Sequence, residues 1–147
     1  MLFYFFVSAL LGQEIKYSPC IDCWNPDSLG NHRVVVQFAG KGPIAKVNIC
    51  WRRRDTNPGQ KRIIEQDAAT GKKILNVKIV NITRETGTVF FEPVSGKGTY
   101  FIYYMPYIYE GRNTYYPKGV YYKPENTADA QWLTSFSANA NLSLTAL

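Results

Sequence analysis

The sequence of 147 residues is poor in the residue types that most catalytic and metal sites use. It has one histidine, His32, and three cysteines. A single histidine excludes a His-rich metal site and allows at most one Ser-His-Asp triad. The charge is also modest, because 17 Lys and Arg against 11 Asp and Glu give a net charge of +6. Nucleic-acid-binding domains concentrate more positive charge and carry a reader motif, so we expect no nucleic-acid partner.

Long apolar runs are missing outside the N-terminal end. Beyond residues 1–12, no stretch approaches the roughly 18 apolar residues that a membrane-spanning helix needs. The opening MLFYFFVSALL has the length of a signal-peptide core, with small residues at Val7 and Ala9 for a cleavage site. We expect residues 1–12 to be a signal peptide, the chain to be secreted or extracytoplasmic, and no membrane contact after leader removal. The segment has no Lys or Arg, so the alternative is an apolar first strand of the fold.

Aromatic residues are abundant, at 15% of the chain with 11 tyrosines, and 11 glycines and eight prolines divide them. Such a composition indicates an all-β domain. Strands are predicted over Arg33–Phe38, over Ile44–Trp51, where apolar and polar residues alternate, and over Thr99–Tyr109. Pro106 cannot donate to a ladder, so the last strand should end there or lie at an edge. Short strands with frequent turns predict an antiparallel β-sandwich with a short C-terminal helix.

The segments between and after these strands complete the predicted layout. Residues 61–66 and 72–82 are expected to form a hairpin around the loop 67–71, followed by a strand over 88–92 and a structured loop over 111–126. Thr127 is the predicted cap of a helix over 128–136, with Asp129 in its first turn. The domain boundaries are therefore an irregular lead-in at 13–30, the sandwich at 31–136 and a small, polar tail at 137–147.

The cysteines Cys20, Cys23 and Cys50 allow two interpretations. Cys20-x-x-Cys23 has zinc-ribbon or redox spacing, but a zinc site needs a second pair of ligands, and a thioredoxin motif needs a βαβ context. Neither is present, so we expect no metal and no cofactor. In a secreted chain, one disulfide with one thiol left over is the simpler outcome, and the spacing does not say which two cysteines pair.

Several phrases, read in order, resemble a single family. They are GNHRVV at 30–35, WRRRDxxP at 51–58, DAATG at 67–71, NITRExG at 81–87, FxPxxGxGTY at 91–100, YYxPY at 103–107 and TADxxW at 127–132. Together they resemble the N-terminal domain of glycoside hydrolase family 123-like proteins from about Leu29 to about Phe136. WRRRD followed by Asn-Pro is the specific part, whereas GTY or DAATG alone carries little weight.

The resemblance implies a β-sandwich that stands before a separate (β/α)-barrel. In such enzymes the barrel removes terminal N-acetylgalactosamine, and an adjacent Asp-Glu pair assists attack by the substrate's acetamido group. This chain has no Asp-Glu dipeptide, so no catalytic residue carries over and we expect no enzymatic activity on its own. We expect a non-catalytic accessory domain, a fragment or truncated form, whose partner is a catalytic barrel. The alternative is a stand-alone secreted carbohydrate-binding module with a glycan partner.

The segment Trp51, Arg52, Arg53, Arg54, Asp55 is the most distinctive candidate site. Arginine forks onto carboxylates and stacks on aromatic rings, so the patch could dock an anionic glycan or a partner. In a continuing strand, Arg52 and Arg54 face one way and Arg53 the other. The structural alternative, which we favour, is that Asp55, Glu65 or neighbouring tyrosines hold the arginines and that Trp51 lies on the inner face.

Other candidates are weaker. An acid pair such as Asp55 and Glu85 meets the count that glycosidases need but lies in no catalytic motif, and His32 lies at a strand entry with no nucleophile motif nearby. Tyrosines could form a sugar-stacking platform or alternate between core and rim; they are Tyr100, Tyr103, Tyr104, Tyr107, Tyr109, Tyr115, Tyr116, Tyr121 and Tyr122. Asn81 and Asn141 begin N-glycosylation sequons if the host is eukaryotic.

Overall fold

The computed structural model describes residues 24–51, 53, 55–104, 106–110 and 118–144. The strands are β1 (Arg33–Phe38), β2 (Ala45–Cys50), β3 (Ile63–Asp67), β4 (Val77–Ile82), β5 (Thr86–Phe91), β6 (Gly98–Tyr104), β7 (Tyr107–Glu110) and β8 (Lys118–Tyr121). The helices are α1 (Pro26–Leu29) and α2 (Ala130–Leu144), and a 3₁₀ turn spans Pro58–Gln60.

Two three-stranded antiparallel sheets form the sandwich. Sheet A has the order β1-β6-β3 and sheet B the order β2-β5-β4, while β7 and β8 form a separate two-stranded ribbon. Alternate residues of each sheet point into the space between them and form the apolar core. Its members include Val34, Val36, Val47, Ile49, Trp51, Val89, Phe91, Tyr100, Ile102 and Tyr104. The predicted all-β sandwich with a C-terminal helix is confirmed.

Local sequence patterns placed several strands correctly. β1 has the predicted bounds, and β2 alternates strictly between buried and exposed residues. β6 ends at Tyr104, and the chain restarts as β7 at Tyr107, so Pro106 lies in the break as expected. At these positions the signal lies within a single strand: the alternation of buried and exposed residues, or a proline that lacks an N–H.

The predicted hairpin around 67–71 forms only next to its turn, up to Ile74, and does not continue into β4. The turn itself forms, because Gly71 N donates to Asp67 O, and one bridge joins Gln66 to Lys73. The chain then crosses to the other sheet: β3 pairs with β6, whereas β4 pairs with β5. Ile74, which is 2% exposed, enters the core at the crossing. The chain therefore buries Ile74 and pairs β4 with β5, where the prediction had β4 pair with β3.

The C-terminal end of the domain also differs from the prediction. Asp129, rather than Thr127, caps α2, since its Oδ1 accepts from the backbone N–H groups of Gln131 and Trp132 at 2.8 and 3.2 Å. Thr127 instead donates to Leu75 O. The helix continues to Leu144, through most of the expected tail, and packs on sheet B through an edge-on contact of Phe136 with Phe90 at 4.9 Å.

Two segments expected to be irregular contain short elements. The lead-in holds α1, where Asn25 Oδ1 accepts from Asp27 N, and the loop over 111–126 holds β8. The predicted signal peptide, Cys20 and Cys23 lie outside the described residues. Among the residues that are described, no helix is long and apolar enough to cross a membrane.

Candidate functional site

Trp51 is buried at one end of the sandwich, 2% exposed. Its backbone N–H donates to Glu85 O, and its indole N–H donates to Thr83 O, both at 2.9 Å. The ring centroid lies 5.0 Å from that of Tyr104 on β6, so Trp51 joins the two sheets. On the other side the ring lies against Gly87, where a Cβ would come closer than 3.0 Å to the indole. Only glycine leaves enough room for the indole at that position.

Arg53 continues the same inward face and is also buried, at 5% exposure. Its guanidinium forks onto Asp55: Nε donates to Oδ1 and Nη2 to Oδ2, each at 3.0 Å. The group also lies 5.0 Å from the Trp51 ring centroid and 5.9 Å from that of Tyr104. Bidentate pairing and ring stacking use the features that distinguish Arg from Lys. We call Trp51, Arg53, Asp55 and Tyr104 the brace.

The structure therefore divides the predicted arginine patch. Arg53 turns inward, and its fork is occupied by Asp55. Arg52 and Arg54 lie outside the described residues. Glu65, one of the alternatives for holding the arginines, lies in the core on β3 and makes no hydrogen bond to Arg53 among the described residues. The charge of Arg53 is thus compensated locally, by the residue two positions along the same face.

The acid pair Asp55 and Glu85 does not form a site. Asp55 has both carboxylate oxygens occupied by Arg53. Glu85 is an exposed residue between β4 and β5, and its backbone carbonyl accepts a hydrogen bond from the Trp51 N–H. The two acids therefore have separate structural surroundings.

His32 lies beside the brace. Its ring centroid is 5.3 Å from that of Tyr104, and its carbonyl accepts from Tyr104 N at 3.2 Å. Partial burial, and then the positive charge of Arg53, lower the pKa of His32. A ring held against a tyrosine, with no described hydroxyl or carboxylate bonded to it, has the geometry of a packing residue rather than a triad base.

Sequence reasoning missed a second pair of acids, Glu65 and Asp67, on the inner face of β3. They are 1% and 2% exposed. Burial raises the pKa of Glu65 well above its usual value, and neither carboxyl oxygen has a hydrogen-bond partner among the described residues. A hydrogen bond from Ser95, with further ones from Thr70 and Ala69, lowers the pKa of Asp67. The alternation in IIEQD places both acids on the face of Ile63, and that was the available signal.

Several other described acids are held by cations or amides. Glu125 pairs with Arg62 at 2.8 Å and with Lys73 at 2.9 Å, and Glu92 accepts from Asn76 at 2.6 Å. Within the described ranges, no three His, Cys, Asp or Glu side chains come together in a way that could hold a metal ion.

The tyrosines divide between the core and partly covered positions. Tyr100, Tyr103 and Tyr104 are buried, and the Tyr100 hydroxyl donates to Gly96 O at 2.7 Å instead of reaching water. Tyr121 and Tyr122 are half-buried, with Lys61 Nζ at 4.4 Å and the Arg62 guanidinium at 5.0 Å from their ring centroids.

Tyr107 and Tyr109 lie on β7 of the ribbon. The Tyr107 hydroxyl accepts from Asn31 Nδ2 at 2.8 Å, and its ring lies edge-on to that of Tyr121. The side chains of Tyr109, Tyr115 and Tyr116 lie outside the described part of the chain. The described tyrosines are thus used in packing and hydrogen bonding, and a sugar-stacking platform stays a prediction.

The two sequons lie on regular elements. Asn81 is exposed on β4, next to the bulge that shifts the register of that strand. Asn141 lies within α2 rather than in an irregular tail. Whether either asparagine carries a glycan depends on the host and stays a prediction.

Comparison with known proteins identifies a family. A family model described as "Glycoside hydrolase 123, N-terminal domain" matches residues 22–146, which is most of the chain. The match confirms the resemblance that the sequence phrases indicated. The comparisons with curated proteins and with solved structures found no match.

Proposed function

This chain belongs to the glycoside hydrolase 123 N-terminal domain family, and from that premise we propose that it is a non-catalytic accessory domain. Its partner would be a catalytic barrel of the kind that the family resemblance implies. The apolar leader at 1–12 supports an extracytoplasmic location for this role. The brace would keep one end of the sandwich rigid.

The main support for the proposal is the burial of the acid pair Glu65 and Asp67. Glycosidases need two carboxyl groups beside the scissile bond, commonly with pKa values that the environment pushes apart. These two acids have pKa values shifted in opposite directions. Glu65 is nevertheless 1% exposed in the core, so a sugar could meet it only if the two sheets separated. Asp67 is 2% exposed and is covered by the Ser95 and Thr70 hydroxyls.

The acids with cationic partners do not supply a replacement. Asp55 is bound by Arg53, and Glu125 is bound by both Arg62 and Lys73. The hydrogen bond from Lys73, with the nearby charges of Lys73 and Arg62, lowers the pKa of Glu125 and makes it a poor proton donor. These contacts support a domain that contributes structure rather than acid-base chemistry.

Hydrolysis by the purified chain tests the proposal. We expect no chromophore release from a chromogenic N-acetylgalactosaminide beyond that of a heat-denatured sample. Release above that background would overturn the proposal, and its disappearance in Glu65→Gln would make the buried pair catalytic. Asp27→Asn, at an exposed position on α1, is the matched control for loss of a carboxylate.

A further inference from the structure

An open groove of about 220 Å³ lies where the edges of the two sheets meet, between β4 and the segment 124–127. Its lining includes the aliphatic side chains of Ile63, Ile74 and Ile79. Its charged lining residues are Lys73, Lys78 and Glu125. The groove thus combines aliphatic surface with two lysines and one glutamate.

The backbone of β4 lies at the edge of sheet B along this groove. Glu92 N donates to Asn76 O, and β4 pairs antiparallel with β5. Alternate residues of an edge strand turn their N–H and C=O groups away from the partner strand. Asn76 bonds toward β5, and the direction alternates along the strand. The backbone groups of Lys78 therefore face β5, whereas those of Ile79 face away from it. Val77, the preceding residue of this alternation, already donates its N–H to Leu75 O, whereas among the described residues no turn or loop bonds the Ile79 backbone groups.

The charges around the groove are unbalanced. Glu125 already forms ion pairs with two cations, Arg62 and Lys73. Lys78, which lines the groove, has no acid within ion-pair distance among the described residues. An anionic group entering the groove would therefore meet uncompensated positive charge.

We propose that this groove binds an extended acidic segment of a partner polypeptide, which adds to β4 as a fourth strand of sheet B. Strand addition uses exposed main-chain groups for affinity and alternate side chains for specificity. Apolar residues of the segment would face Ile63 and Ile74, and the alternate acidic residues would lie near Lys78.

Two other occupants fit less well. A second copy pairing through β4 would bring like charges from Lys78 close together, which is destabilising. A glycan would find none of the aromatic faces that suit sugar stacking among the lining residues. Both are outcomes of the test.

The probe is a short soluble peptide of alternating valine and glutamate, compared with the same peptide carrying lysine for glutamate and with polygalacturonate. Binding is followed by fluorescence anisotropy, and the Ile79 amide by hydrogen exchange. Lys78→Glu reverses the charge at the groove. Lys41→Glu makes the same change at an exposed loop position before β2 and is the control.

We expect only the glutamate peptide to bind and to protect the Ile79 amide. Lys78→Glu should weaken its binding about tenfold, since attraction is replaced by repulsion, while Lys41→Glu should change it less than about twofold. Equal binding of both peptides, binding without Ile79 protection, or binding of polygalacturonate alone would overturn the proposal. Concentration-dependent dimerisation that protects Ile79 without any peptide would also overturn it.

Discussion

Gly87→Ala probes the fit between sheet B and the brace. The new methyl group would lie closer than 3.0 Å to the Trp51 ring. The ring has little room to move, because its N–H is bonded to Thr83 O and its face packs on Tyr104. The strain must therefore be taken up by backbone shifts or by loss of the indole hydrogen bond.

The expected cost follows from overpacking a core, which destabilises by about 1–3 kcal/mol. For a domain of this size, that corresponds to a fall in melting temperature of roughly 4 °C per kcal/mol. Gly98→Ala is the control, because nothing lies within 4 Å of its added Cβ. It should melt within about 2 °C of the parent, as substitutions without steric consequences usually do.

A double-mutant cycle shows whether the clash is with Trp51. Trp51→Ala should itself cost about 3–5 kcal/mol. In that background Gly87→Ala should cost almost nothing, since the clashing ring is gone, and the two changes should be strongly non-additive. Equal melting of Gly87→Ala and the parent, or the same cost with and without Trp51, would show that the indole does not limit position 87.

Two further predictions concern buried charge and helix capping. Burial raises the pKa of Glu65 in the folded chain. The contribution of Glu65 to the free energy of unfolding is therefore complete at low pH, and it is lost as the pH rises from about 4.5 toward the pKa of the folded chain. Glu65→Gln should therefore gain stability relative to the parent between about pH 5 and about pH 8 in urea unfolding, and a flat difference would contradict this. Asp129→Ala should cost about 0.5–2 kcal/mol and reduce helicity by circular dichroism. Thr127→Val, which does not touch the cap, should retain the helicity, and equal losses in the two variants would argue against Asp129 as the cap.

Local patterns predicted elements better than pairings. β1 and β2 follow from alternation within one segment, and the break at Pro106 follows from its missing N–H. The hairpin prediction holds only as far as Ile74, because the turn 67–71 has the same chemistry whether the chain pairs back or crosses to the other sheet. The partner of β3 is β6, far along the chain. Pairing at that distance depends on the whole core.

The candidate site was predictable to a similar degree. Alternation placed Trp51 on the inner face, and continuing it makes Arg53 and Asp55 neighbours on that face. The burial of Glu65 was not predictable from composition, because an acid in a strand is ordinarily a surface residue. Gly87 gave no signal either, since its role depends on a ring that comes from another strand.

Arg53→Ala most directly tests whether the WRRRD segment supports the fold or recognises a ligand. We expect a loss of about 3–5 kcal/mol in the free energy of unfolding, because the change leaves the Asp55 carboxylate without its buried partner. The profile of the folded variant on a glycan array should equal that of the parent. Melting at the parent's temperature together with loss of glycan binding would show instead that Arg53 belongs to sugar recognition.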